Sequence, residues 1–192
     1  SMIILHHYPL SPFSEKIRLI FGYLDMEWQS VVSPESPPRP IVEPLAGGYR
    51  RIPVAQVGAD IFCDTRLICA EVAALAGREE LSPAAGDEAA QALAVKFESE
   101  VFWAAVSSIP ARRVLRRLFS DLSFLHALRF LKDRVGMARS AQTRIVPPAE
   151  AVGLFAEHLQ ALEQMLAAQG DYLGGAAPVY LDFVAYHTLW FK

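Results

Sequence analysis

The chain has 192 residues, of which 53% are hydrophobic, and a net charge of −3 at pH 7. That length holds one large domain or two small ones, and the apolar content excludes a disordered chain. The acidic balance excludes a molecule built as a whole to attract nucleic acid, and no apolar run approaches the roughly 18 residues of a membrane span.

Met2 to His7 is a short apolar run suited to a strand covered on both faces. Ser11-Pro12 then makes a helix start, with a hydroxyl at the cap and proline in the first helical position. Ile17, Ile20, Phe21 and Leu24 follow at helical spacing as one buried stripe. Glu27 to Ser33, rich in valine with a tryptophan, is a second strand. Strand, helix, strand is a βαβ unit, which implies a parallel pair. Prolines 34, 37, 38, 40 and 44 predict an irregular stretch ending in Gly47-Gly48. Val54–Val57 and Asp60–Phe62 flank Gly58-Ala59, the pattern of a tight antiparallel hairpin. Asp64 or Thr65 caps the next helix, Ile68, Val72 and Leu75 are expected to point inward, and Gly77 stops it.

The composition changes after Arg78. Residues 79–84 break the pattern and read as a linker between a first domain, 1–78, and a second, 85–192. Beyond the linker only helices are predicted. Leu93, Phe97 and Val101 define one, Leu122, Leu125, Leu128 and Leu131 mark another, and Pro147-Pro148 opens a third carrying Val152, Phe155, Leu159, Leu162 and Leu166. The second domain is therefore expected to be a helical bundle.

Three places could carry chemistry. Ser11 sits at a strand-to-helix turn, beside unpaired backbone N–H groups and the positive end of a helix dipole. A thiolate would be stabilised there. A free thiol is only ~3% ionised near neutral pH; lowering its pKa by about two units, or about 2.7 kcal/mol, would ionise roughly three quarters of it. The same oxygen could equally be a plain N-cap, and the two roles are compatible, since the oxygen can accept from the helix while its proton points at a sulfur. Pro53 directly before a strand is unusual, because it donates no ladder hydrogen bond. A cis Ile52-Pro53 bond would leave the Ile52 N–H and C=O free for an extended peptide, whereas a trans bond would simply open an edge strand. Asp64-Thr65 offers a carboxylate, a hydroxyl and free N–H groups at a helix start. It could hold an ammonium and a carboxylate together, or act only as a cap.

The order and separation of these features resemble the glutathione S-transferase family over about the first 78 residues. The resemblance implies an α+β thioredoxin-like N-terminal domain (βαβ, then ββα) followed by an all-α helical domain, with glutathione as co-substrate. It implies that Ser11 activates the glutathione thiol, as in serine-type bacterial-like members, with Phe13 from the same turn among the binding residues. Ile52 and Pro53 match the pair that binds the cysteinyl backbone, and Asp64 and Thr65 the pair that holds the γ-glutamyl end. Arg51 is the partner proposed for the glycine carboxylate. His7 falls near the catalytic tyrosine of tyrosine-type members; Tyr8 would point to the opposite side of a regular strand. The expected reaction is attack of the thiolate on a small hydrophobic electrophile, with isomerase or peroxidase chemistry starting from the same thiolate. A non-catalytic binding or scaffold protein is the alternative. A homodimer and a cytoplasmic location are expected, with neither nucleic acid nor membrane as partner.

Ser11-Pro12-Phe13-Ser14 holds no sulfur where thioredoxin-fold oxidoreductases carry Cys-x-x-Cys, so neither dithiol exchange nor a mixed disulfide can run through this turn. Cys63 and Cys69, the two cysteines, read as reduced thiols in a chain without a secretory pattern. No His/Cys/Asp/Glu spacing suggests a metal. Two departures from the family stand out. Val179-Tyr180-Leu181-Asp182 occupies a helix start that relatives begin with Ser or Thr, and such a lost cap costs about 1 kcal/mol. The sequence stops at Trp190-Phe191-Lys192 within an apolar segment, so the helical domain is expected to be cut short at its end. Arg112, Arg113, Arg116 and Arg117 form a basic stripe expected on a solvated helix. His126, His158 and His187 each stand alone, as packing or surface residues. Phe97, Phe102, Trp103 and Val106 could line an apolar pocket or simply fill the bundle.

Overall fold

Alternating faces and tight turns build a four-stranded sheet from the first third of the chain. The computed structural model describes residues 2–140 and 146–190, so Phe191 and Lys192 of the apolar C-terminal run lie outside the described residues. Strand β1 (Ile3–His7) leads into helix α1 (Pro12–Tyr23) and returns as β2 (Trp28–Val32). A single helical turn, α2 (Val42–Leu45), interrupts the proline-rich stretch that was expected to be wholly irregular. Strands β3 (Val54–Val57) and β4 (Asp60–Cys63) form the hairpin, followed by α3 (Thr65–Ala76). The sheet order is β2-β1-β3-β4, with β1 and β2 parallel and the other pairs antiparallel. This is a thioredoxin-like arrangement.

Each cap acts as its residue type dictates. Ser11 Oγ accepts from the Ser14 N–H at 3.1 Å, Asp64 Oδ1 from the Arg66 N–H at 2.6 Å, and Gly77 ends α3 at φ +64°. Ile3 and Leu5 of β1 meet Ile17, Ile20 and Phe21 of α1 and Ile68, Cys69 and Val72 of α3 in one buried core. Leu75, expected inside, is 46% exposed. Cys69 and Ala73 join the expected Ile68 and Val72 on the inward face of α3.

The rest of the chain is helical. Glu79–Leu81 makes one 3₁₀ turn and buries Leu81 in the core. Helix α4 (Glu88–Lys96) runs into a π-turn at Phe97–Val101 and continues as α5 (Phe102–Ser107). Then come α6 (Ala111–Asp121), α7 (Phe124–Ser140), α8 (Pro148–Gln169) and α9 (Tyr180–Leu189). The core continues into this part through Ala94, Phe97, Val101, Tyr180, Phe183 and Val184. Phe97 therefore belongs to the packed interior rather than to a pocket wall. The leucine pattern of α7 does not mark a buried face: Leu125 and Leu128 are exposed, as are Val152 and Leu159 of α8.

The start of α9 compensates for its missing hydroxyl. Valine has no acceptor, so only the carboxylate half of a capping box can form. Asp182 accepts from the backbone N–H groups of Leu173 at 2.6 Å, Val179 at 2.9 Å and Gly174 at 3.2 Å. It ties the preceding loop to the helix as well as capping it. Asp182→Ala is expected to lower stability by about 2 kcal/mol, and the near-isosteric Val179→Thr to raise it by roughly 0.5–1 kcal/mol. Urea midpoints of the two variants check both signs.

Candidate functional site

Sheet topology brings the predicted residues to one place. Strand β3 runs against β1, and β4 runs against β3, so β1 and β4 point the same way. Helices α1 and α3 start from the ends of those two strands, so both N-termini open at the same end of the sheet. Strand β3 begins there too: Val54 pairs with His6 on one side and Cys63 on the other, which sets Pro53 between the Ser11 turn and Asp64. The Ile52–Pro53 bond is cis.

Ser11 is 2% exposed and ends the turn that follows β1, its N–H donating to the Tyr8 carbonyl at 3.2 Å. Its contact with Ser14 uses an oxygen lone pair and not the hydroxyl proton. Asp64 is an exposed carboxylate held at φ +85°, a backbone conformation that non-glycine residues rarely adopt. Strain of this kind concentrates at binding sites. Arg51 is exposed, two residues before Pro53. Burial raises the Tyr49 phenol, and the charge of Asp64 adds to this while Arg51 opposes it, so both charged groups lie within electrostatic reach of that ring.

Two predicted residues face elsewhere. The Thr65 side chain turns inward, where its Oγ1 accepts from Lys16 Nζ at 3.0 Å. Phe13 turns into the seam with the helical part, where its ring meets Phe102 at 5.1 Å and His187 at 5.0 Å, edge to face. His7 is held in place structurally. Arg18 donates to its Nδ1 at 2.9 Å, which puts the ring proton on Nε2, 2.6 Å from Ser30 Oγ. Burial, with Arg18 and then His6 adding to it, pushes the His7 ring down to about 4, so it is neutral at physiological pH. Tyr8 projects the other way, and its hydroxyl accepts from Arg134 of α7 at 2.7 Å. Arg134 also donates to the Glu35 carbonyl at 3.1 Å, and Arg50 forms an ion pair with Asp133. Helix α7 is thereby anchored to the sheet part on the Tyr8 side.

The sequence reading missed a buried charged cluster and wrongly isolated His187. Lys16 is fully buried and donates to Thr65, to the Glu98 carboxylate and toward the Tyr180 hydroxyl at 3.4 Å. His187 Nε2 lies 3.0 Å from Glu98 Oε1, and its Nδ1 lies 3.1 Å from the Pro12 carbonyl oxygen. Burial works against the charge of Glu98, but hydrogen bonding to His187 and the Lys16 ammonium outweigh it and hold the carboxyl at about 2. Burial likewise opposes the Lys16 charge, yet its partners keep that pKa above the ordinary lysine value. Cys69 is not among the effective partners near neutral pH, because burial pushes its thiol up to about 11. The local signals were faint: an acid flanked by the apolar Phe97 and Val101, and one histidine within the apolar run of α9.

A cavity of about 260 Å³ opens between Glu80, Asp87, Gln91, Leu173 and Tyr180, and none of the predicted glutathione contacts lines it. Among the described residues no group of acids, histidines and cysteines could hold a metal ion, and no helix is long and apolar enough to cross a membrane.

A thioredoxin-like sheet whose two helix N-termini and cis-proline converge, joined to a helical part, defines the architecture of glutathione-dependent transferases. Residues 5–80 match the family model for the glutathione S-transferase N-terminal domain, and this part of the chain belongs to that family. A solved GST-like protein from Pseudomonas syringae shares 33% identity at a TM-score of 0.68. The match covers all of this chain and 58% of that one, so the chain spans little more than half the length of this relative. FzlA from C. crescentus shares 20% identity over 98% of this chain and 77% of its own, at a TM-score of 0.59. Rice GST1, solved in complex with glutathione, shares 19% over 96% and 72%, at 0.56. These last two likenesses concern the fold. No curated protein matches the chain.

Proposed function

We propose that the chain binds glutathione along the open end of its sheet, with Ser11 holding the thiol as a thiolate for attack on a small hydrophobic electrophile. The convergence of the α1 and α3 N-termini on either side of Pro53 carries this reading. Helix N-termini favour anions through free N–H groups and the dipole. Two of them at one end of a sheet suit a tripeptide with a carboxylate at its γ-glutamyl end and a thiolate on its central residue. Asp64 at the start of α3 takes the ammonium of the γ-glutamyl group, while Ile52 and Pro53 face the cysteinyl backbone and Arg51 the glycine carboxylate. The protein acts by positioning and electrostatic stabilisation, without a covalent intermediate. Phe102 beside Phe13 offers an apolar surface for the electrophile. A cytoplasmic homodimer with a sheet domain to residue 78 and a helical domain from residue 85 completes the proposal.

The near-complete burial of Ser11 favours a second reading, a binding or scaffold protein without turnover. Calorimetric titration with glutathione and an assay with a generic aryl halide separate the two. Saturable heat with saturable conjugation is expected. Heat without conjugation selects the scaffold, and a folded protein giving no heat sinks both glutathione readings.

A further inference from the structure

The cluster at the seam between sheet and helices connects two parts of the candidate site that are far apart in sequence. Starting at Thr65, contacts run through Lys16 to Glu98, from Glu98 to His187, and from His187 to the carbonyl of Pro12. The His187 ring also packs against Phe13 at 5.0 Å. Pro12 and Phe13 directly follow Ser11 and form the first turn of the helix whose N-terminus would face the thiolate. Lys16, Thr65 and His187 are all buried, so the chain of contacts is shielded from competing water. We propose that His187 is a positioning residue: it donates its Nδ1 proton to the Pro12 carbonyl and holds the Ser11 turn in the geometry that stabilises the glutathione thiolate.

This rests on the glutathione reading for its chemical consequence, but not for the tether itself. The Pro12 carbonyl and an ionised Glu98 can only accept hydrogen bonds, so each ring nitrogen must supply a proton to bind both. A neutral ring has one N–H and satisfies one partner. Burial lowers the His187 pKa from its ordinary value, with Lys16 adding to this and Glu98 and the Pro12 carbonyl opposing it, so the contact geometry and not a raised pKa is what calls for the proton on Nδ1. Tyr180 and Cys69, the other titratable groups of the cluster, are both shifted upward and stay neutral. Lys16 in turn fixes Glu98, so α9 grips α1 through a carboxylate that cannot swing away.

The test compares His187→Phe, which keeps a ring of similar size against Phe13, with His187→Asn, whose amide N–H can replace the Nδ1 donor. The ultraviolet absorbance of bound glutathione reads its thiolate fraction. The expected result is a thiolate-to-thiol ratio about five- to tenfold lower in His187→Phe, with substantial recovery in His187→Asn, while the glutathione dissociation constant changes less than about threefold. Amide exchange at Ser14, Glu15 and Lys16 should speed up in His187→Phe, leaving α3 unchanged, with or without glutathione. Nitrogen NMR of the parent should show a protonated Nδ1. An unchanged thiolate fraction in folded His187→Phe overturns the proposal, as does a bare Nδ1. If the parent binds no glutathione, the function reading falls, and unaltered exchange in the first turn of α1 then overturns the tether separately.

Discussion

Glu98→Ala is expected to destabilise the protein by about 3–5 kcal/mol, the cost of leaving a buried charge without its partner. Lys16 has no exposed surface, and the Glu98 side chain has 14%. Without the carboxylate, the ammonium keeps the hydroxyls of Thr65 and Tyr180, neither of which carries compensating charge. His187 loses a partner in the same step. The double variant Lys16→Met, Glu98→Leu should recover more than half of the loss, because it removes both desolvated charges together. Urea midpoints measure all three proteins, and a loss under about 1 kcal/mol for Glu98→Ala would show that the pair does not act as a buried ion pair. The pH dependence has a definite sign. The Glu98 pKa is lowered in the folded state from 4.5 to about 2, so its contribution is fully present above about pH 4.5 and is lost as pH falls towards 2. Glu98→Ala should remove that part of the acid sensitivity.

Ser11→Ala is expected to lower turnover of bound glutathione near neutral pH by roughly 25-fold, the fall in thiolate fraction from about three quarters to ~3% that follows the loss of about 2.7 kcal/mol of thiolate stabilisation. The same substitution removes the N-cap of α1 and should cost about 1 kcal/mol of stability. The two effects separate in the measurements. Stability is read from urea unfolding without ligand, and thiolate stabilisation from the pH profile of conjugation at saturating glutathione. The apparent pKa of the bound thiol should rise towards that of free glutathione, with little change in affinity, because the γ-glutamyl and cysteinyl contacts lie elsewhere. Ser11→Thr keeps both the acceptor and the hydroxyl proton and should recover most of the activity. Unaltered turnover in Ser11→Ala would remove Ser11 from the mechanism and leave the thiolate to the backbone N–H groups of α1 alone.

The site was legible where its residues are also local signals. Ser11-Pro12 is a helix start on any reading, Gly58-Ala59 is a hairpin, and Asp64-Thr65 is a cap. The fold places Ser11 and Asp64 together at one end of the sheet and the Gly58-Ala59 turn at the other, because strand direction follows from the order of elements. Side-chain direction was less legible. Thr65 and Phe13 occupy the expected positions along the chain, yet one hydroxyl bonds Lys16 and one ring packs in the seam. Both choices depend on what the helical part brings to them.

Short-range chemistry determined the strands, the caps, the β3-β4 hairpin and the stop at Gly77, because each depends on residues within a few positions of one another, and the parallel β1-β2 pair followed from the strand-helix-strand order. The tertiary structure alone decided that Lys16 would be buried, that Glu98 would enter the core from the π-turn, and that His187 would have a partner. Lys16 lies beside the apolar stripe of α1 and would stay solvated on an isolated helix. It meets Glu98 across 82 residues of sequence, and Glu98 meets His187 across 89. Contacts at such separation leave no periodic trace. They form only when two independently patterned surfaces close on each other and exclude the water that would otherwise solvate those charges.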